Sequence, residues 1–192
     1  ESSTYKEDKD YWMEQISLIP PAPMLPLQKD PSVIRKPQFA RIEKVIPKSE
    51  WNVLQKEAKK KGITTSTLLC TAYALVLGYW SNQPELTINV TVFTRYPFNE
   101  GVTDIVGDFT SVILLRVNLL GRSDFWKLAS EIQNQLMDAL EHRHYDGMNV
   151  IRKIAEQAEM KEQAVMPVVF TSLLFSMEEG DIVTIEDLGE VK

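Results

Sequence analysis

Few side chains in this 192-residue chain could move a proton or hold a substrate. Both histidines, His142 and His144, fall in EHRHYDGMN (141–149), followed by Asp146 and Gly147. An imidazole titrates near neutrality, so this stretch offers a general base for acyl transfer. It has a plainer reading. Arg143 separates the histidines, and the stretch follows a long helical stripe, where cations cap carbonyls and complement the helix dipole. Gly147 would then let the chain turn. Hydroxyls are the other resource. Thr171, in PVVFTS (167–172), can donate and accept but is a poor base unless a carboxylate polarises it. It also suits a strand for packing alone. Asp108, between Gly107 and Phe109, could orient an amide or an arginine, or only cap a turn. Thr110 and Ser111 take opposite faces of the strand that follows. Thr87, Asn89, Thr91 and Arg95 share one face of TINVTVFTR (87–95), opposite Ile88, Val90 and Val92. Such a face is either a wetted wall or open solvent. Cys70 lies in an apolar run and reads as a buried thiol rather than a nucleophile. Two histidines and one cysteine make no convincing zinc site.

These groups need elements to position them, and the pattern supplies an alternation of helices and strands. Residues 1–9 are polar and read as frayed, and 10–19 have helical spacing. LIPPAPMLPLQKDP (18–31) is excluded from helix and central strand by its prolines, which remove donors and fix φ. Residues 37–46 alternate like a half-exposed strand. Ser49 is placed as the N-cap of a helix carrying Trp51, Leu54 and Ala58, ended by Gly62. Residues 65–80 form a helix apolar nearly all round, expected to be buried. Strands are expected at 85–94, 109–118 and 165–175. Ser123 is placed as cap of a long helix whose stripe is Phe125, Leu128, Ile132, Leu136 and Leu140. A short helix follows over 146–158. The tail, 177–192, is acidic.

Composition narrows the partners. With 44% apolar and 25% charged residues the chain reads as a soluble globular protein. A net charge of −6 argues against nucleic acid, which needs clustered cations. Lys59, Lys60 and Lys61 read as a helix end. The most apolar window, TLLCTAYALVLGYW, is too short to span a membrane. A single cysteine suits a reducing cytoplasm, the expected location.

Four segments, in order, resemble the heterocyclization domains of nonribosomal peptide synthetases, relatives of the condensation domains. LIPPAPMLPL (18–27) is similar to their leucine–proline motif, and TTSTLLCTAYALVLGYWS (64–81) to a helix motif ending in Trp-Ser. GDFTSVILLRV (107–117) resembles the Gly-Asp-Phe-Thr strand motif, and PVVFTS resembles Pro-Val-Val-Phe-Thr-Ser. HRHYDGMNVIRKI (142–154) is similar to a family segment between the last two. The resemblance covers the C-terminal lobe. It implies an α/β fold, a chloramphenicol-acetyltransferase-like lobe with a mixed sheet layered with helices, a tunnel lying between this lobe and an N-terminal one. The implied division is a polar segment and helix at 1–17, a proline-rich inter-lobe linker at 18–36, the lobe at 37–176 and an acidic tail at 177–192.

The reaction implied by the resemblance joins an acyl thioester to a carrier-bound cysteine, serine or threonine and closes a thiazoline or oxazoline ring. Thr171 is the implied catalytic position; Asp108, Thr110, Ser172, Asn89 and Thr91 would support it or line the tunnel. No cofactor is expected to bind directly, since phosphopantetheine arms of carrier proteins present the substrates. Carrier domains, the N-terminal lobe and an adjacent adenylation domain are the implied partners; no nucleic acid, membrane or metal is expected. The family carries an Asp-x-x-x-x-Asp pair in its N-terminal lobe, and no two aspartates here are five apart. Its downstream aspartate, which would polarise Thr171, falls beyond Lys192. A truncated lobe, inactive alone, is therefore expected. The family often shows Asn where this chain has Thr94, so an Asn-specific role there is doubtful. The rivals are an ordinary peptide-bond-forming condensation domain, a free acyltransferase with a histidine base, and a non-catalytic lobe that docks carrier proteins. The His142-x-x-x-Asp146-Gly147 spacing matches half of an acyl-transfer histidine motif, but the condensation motif has adjacent histidines and belongs to the other lobe.

Overall fold

In the computed structural model, which describes residues 2–95, 100–121, 124–157 and 165–174, the sheet is built around β1, Glu85–Phe93. Its β-branched residues suit a pleat covered on both sides. β2, Thr110–Asn118, runs antiparallel beside it, with Val90 opposite Ile113 and Thr91 opposite Val112. On the other edge β3, Val169–Phe170, pairs in parallel, Asn89 with Val169 and Val90 with Phe170. The sheet is thus mixed, in the order β2-β1-β3. Among the described residues the strand expected over 165–175 is this two-residue pair, opened by the ladder bond from Asn89 N to Val168 O and preceded by a side-chain bond from Asn89 Nδ2 to Met166 O.

Helices cover both faces. α1 is Ser3–Gln15, α2 Lys48–Lys60, α3 Thr65–Ser81, α4 Phe125–Glu141 and α5 Gly147–Gln157. α3 and α4 pack together over the face bearing Leu86, Ile88, Val90, Ile113, Leu115 and Val117, all of them buried. The α4 stripe expected from spacing lies on this core through Leu128, Ile132 and Leu136. The opposite face meets α1, where Arg116 Nη1 donates to Gln15 Oε1 at 2.7 Å, and α5, which starts against Val112.

Several local expectations are corrected. α1 starts at Ser3, its end capped by the Ser2 hydroxyl, so residues 3–9 are helical rather than frayed. The reason is tertiary: Asp8 and Trp12 turn inward and are buried. Residues 37–46 form no strand. Phe39, Ile42 and Val45 are 95%, 97% and 83% exposed, and alternation cannot make a strand without a neighbour to pair with. α2 begins at Lys48, the Pro47 carbonyl accepting from Trp51 N, which leaves Ser49 inside the helix rather than at its cap. Its end does fall at Gly62, which takes the left-handed conformation at φ +69°. α4 is capped by Asp124, whose carboxylate accepts from Trp126 N and Lys127 N, not by Ser123, which lies outside the described residues. α3 is not buried all round, since Val76, Tyr79 and Trp80 are exposed.

Gly147 is required for a reason other than turning, since its φ is not positive. A Cβ built on it would stand 2.5 Å from the Val112 carbonyl oxygen and 3.0 Å from its carbon. These are backbone atoms of the sheet and cannot swing aside. Gly147→Ala is therefore expected to lift α5 from β2 and to cost about 1–3 kcal/mol, measured by urea unfolding at unchanged m-value. A neutral result would show that α5 tolerates displacement.

Candidate functional site

The polar face of β1 is where distant parts of the chain converge. Strand alternation aligns Thr87, Asn89 and Thr91, and each reaches a different segment. The Thr87 hydroxyl donates to the Pro20 carbonyl at 2.6 Å and its N–H to Pro21 O at 3.0 Å. The proline-rich segment therefore lies along the first half of β1; prolines can accept there although they cannot donate. Gln83 fastens the same segment, accepting from Met24 N and donating to Ala22 O. Asn89 donates through Nδ2 to Met166 O at 2.6 Å and through its backbone to Val168 O at 3.0 Å. Its Oδ1 is buried with no hydrogen-bond partner. Thr91 Oγ1 lies 2.8 Å from Thr171 Oγ1.

This face is drier than either expected alternative. Thr87 and Asn89 are 1% and 5% exposed, so the first two positions serve main-chain carbonyls rather than a wetted wall or open solvent. Only further along does it open, at half-buried Thr91 and exposed Thr171. Arg95 leaves the row altogether: its Nη1 donates to Val102 O, and its guanidinium lies 4.1 Å from the Phe109 ring centroid.

Ser172, next to Thr171, takes the other face of the sheet, where its hydroxyl meets Ser66 Oγ at 2.7 Å in the first turn of α3. Thr171 and Ser172 are thus held from opposite sides, by β1 and by α3. Ser66 was missed by sequence reasoning, since a serine two positions past an N-cap carries no signal of its own.

Asp108 is exposed at the entry to β2 and accepts from Thr110 N at 2.8 Å. Hydrogen bonds from the Thr110 side chain and backbone hold its carboxyl below the usual range. Thr110 is exposed opposite Phe93, while the neighbouring Ser111 turns its hydroxyl inward, buried without a hydrogen-bond partner. Neither Asp108 nor Thr110 is joined to Thr171. Thr94 donates through both its N–H and hydroxyl to Phe109 O.

The two histidines meet a partner that sequence spacing does not reveal. Asp8, 3% exposed on α1, accepts from His144 N at 2.8 Å, and its oxygens lie 3.0 Å from His144 Nδ1 and 3.2 Å from His142 Nδ1. The Tyr11 ring stacks on His142 with centroids 3.7 Å apart, and Trp12 Nε1 donates to His142 O. The Tyr11 hydroxyl donates to Asp138, and burial together with that carboxylate pushes it up to about 12. His142 does end α4, its N–H donating to Asp138 O, and the Nδ1 atoms of both imidazoles face Asp8. The stretch is a fastening between α1 and the α4–α5 corner.

Among the described residues no cluster of three or more His, Cys, Asp or Glu could hold a metal ion. Burial pushes the Cys70 thiol up to about 12, which leaves it unreactive. An apolar hollow lined by Leu25, Pro26, Val76, Leu77 and Trp80 carries no ionisable group. What remains is the pair Thr91 and Thr171, next to Ser172 and Ser66. Hydroxyls in such a pair can orient a substrate and pass a proton, but neither generates a base alone. Among the described residues, no carboxylate or imidazole is hydrogen-bonded to Thr171.

A family model described as Condensation domain matches residues 1–188. Bacitracin synthase 1 of Bacillus licheniformis is 41% identical over 192 residues, all of this chain and 4% of that protein. Phenyloxazoline synthase MbtB of Mycobacterium tuberculosis is 33% identical over 167 residues, 87% of this chain and 12% of that protein. The crystal structure of the EpoB NRPS cyclization-docking bidomain from Sorangium cellulosum superposes with a TM-score of 0.81 at 35% identity, covering 91% of this chain and 35% of that one. The chain therefore spans a small part of these synthetases and about a third of the solved bidomain.

Proposed function

This chain belongs to the condensation-domain family, whose members catalyse acyl transfer, and from that premise we propose that it is the C-terminal part of a heterocyclization domain in a nonribosomal peptide synthetase. The observation that carries the subtype is the match to a cyclization bidomain, in sequence and fold together, over 91% of the chain. The likeness to a phenyloxazoline synthase points the same way, oxazoline being a ring such a domain would close.

The proposed reaction starts from two thioesters, each on the phosphopantetheine arm of a carrier domain, the acceptor having been loaded by an adenylation domain. The amine of cysteine, serine or threonine attacks the donor carbonyl, an amide forms, and the donor thiol leaves with the proton. The acceptor's side-chain sulfur or oxygen then adds to the new amide carbonyl. That carbonyl oxygen departs as water, taking one proton from the attacking heteroatom and one from the amide nitrogen, and a C=N bond closes the ring. Thr171 is the hydroxyl proposed to serve these transfers, and its contact with Thr91 at the open end of the β1 polar face supports that reading. Asp108 supports the turn before β2 rather than the chemistry. Asn89 secures the 166–168 backbone that leads to Thr171.

The test is a reconstitution of the full-length domain with an acyl donor and cysteine on their carriers, followed by mass analysis of the product. A product one water lighter than the linear amide is expected. Linear amide alone would overturn cyclization and leave ordinary condensation. The isolated chain is expected to show no turnover.

A further inference from the structure

The three polar side chains of the β1 face do not do the same work. Thr87 and Asn89 bind main-chain carbonyls, which are fixed acceptors. Thr91 binds a side-chain hydroxyl, and either oxygen of that pair could be the donor. We infer that Thr91 is a positioning residue that sets the rotamer of Thr171 and confines its hydroxyl to two proton arrangements; the consequence for ring closure rests on the heterocyclization reading above.

A threonine hydroxyl has one proton and two lone pairs, and an unrestrained one spreads them over several directions. At 2.8 Å the Thr91 oxygen restrains the Thr171 side chain to the rotamer that faces β1. Two proton arrangements are then open. When Thr91 donates, the Thr171 proton is free to point outward and donate to a departing oxygen. When Thr171 donates to Thr91, a lone pair points outward and can accept from an attacking thiol or hydroxyl. Reversing the pair exchanges the two without moving a heavy atom. Ring closure needs a donor and an acceptor in turn, so Thr91 supplies what an isolated hydroxyl lacks. The backbone is already fixed on either side of Thr171. Val169 and Phe170 sit in the ladder, Asn89 holds Met166 and Val168, and Ser66 holds Ser172. With the neighbouring backbone held, Thr91 restrains the Thr171 side-chain rotor.

The experiment compares Thr91→Val, Thr91→Ser and the parent in the full-length domain. Without substrate, methyl scalar couplings of Thr171 report its χ1. One rotamer is expected in the parent and in Thr91→Ser, and averaging in Thr91→Val. With carrier-bound substrates, Thr91→Val is expected to lower ring product relative to linear amide by roughly five- to tenfold, the worth of one neutral hydrogen bond. Thr91→Ser is expected to restore it. Unchanged couplings in Thr91→Val would overturn the inference, as would a serine variant as defective as the valine one, which would indicate shape rather than hydroxyl. Rotamer averaging in Thr91→Val with a parent that makes only linear amide would leave the positioning role standing and overturn the heterocyclization reading instead.

Discussion

Valine at Thr171 is expected to cut ring formation by about 100-fold in the full-length domain while leaving formation of the linear amide within a factor of about three. Valine keeps the shape of threonine and removes only the donor and acceptor. Thr171 is exposed and its side-chain partner Thr91 is half-buried, so water can replace the lost bond and no buried polar group is stranded. Stability should change by less than about 0.5 kcal/mol, as at other surface positions. A collapse of activity could not then be blamed on unfolding. Single-turnover assays resolving linear and dehydrated product by mass separate the two stages. Equal loss of both products would mean that Thr171 shapes the domain generally. Serine at this position keeps the hydroxyl and is expected to retain most ring closure.

Asp8→Ala should produce the largest loss of stability among single polar substitutions in the described chain, about 2–3 kcal/mol. Three contacts vanish together, those to His144 N, His144 Nδ1 and His142 Nδ1, around a carboxylate that is almost wholly buried. The imidazoles remain 29% and 33% exposed and can turn to water, which keeps the cost below the roughly 3–5 kcal/mol of a fully buried broken pair. For a chain of this length the loss corresponds to a Tm lowered by roughly 5–10 °C. Asp10→Ala, on an exposed position of the same helix, is the matched control and should be neutral within about 0.5 kcal/mol. If Asp8→Ala behaves like that control, the three contacts do not hold α1 to the α4–α5 corner.

The elements that could be read directly were those whose signal is local and strong. β1 and β2 follow from β-branched runs, and the α4 stripe returns every three or four residues, so each fixes both its type and its buried face. The failures share a cause. Residues 37–46 have the right alternation and no strand to pair with. Residues 3–9 look too polar to be ordered, yet Asp8 finds two histidines. Ser123 was placed as the cap of α4, and the cap is its neighbour Asp124, whose carboxylate reaches Trp126 N and Lys127 N.

The sequence by itself determined the periodicities, the glycine that ends α2, and the ordered motifs through which PVVFTS and Thr171 stand out. It could not say what those residues touch. Thr171 meets Thr91 across 80 residues, Ser172 meets Ser66 across 106, and the histidines meet Asp8 across 134 and 136. Periods of 2 and 3.6 come from the geometry of a single strand or helix, so they are written along the chain. A hydrogen bond is satisfied within about 3 Å whatever the distance in sequence, so its partners are chosen only when the sheet and helices close on one another. That closure turned an apparent catalytic histidine stretch into a fastening, and an ordinary strand threonine, Thr91, into the neighbour that orients Thr171.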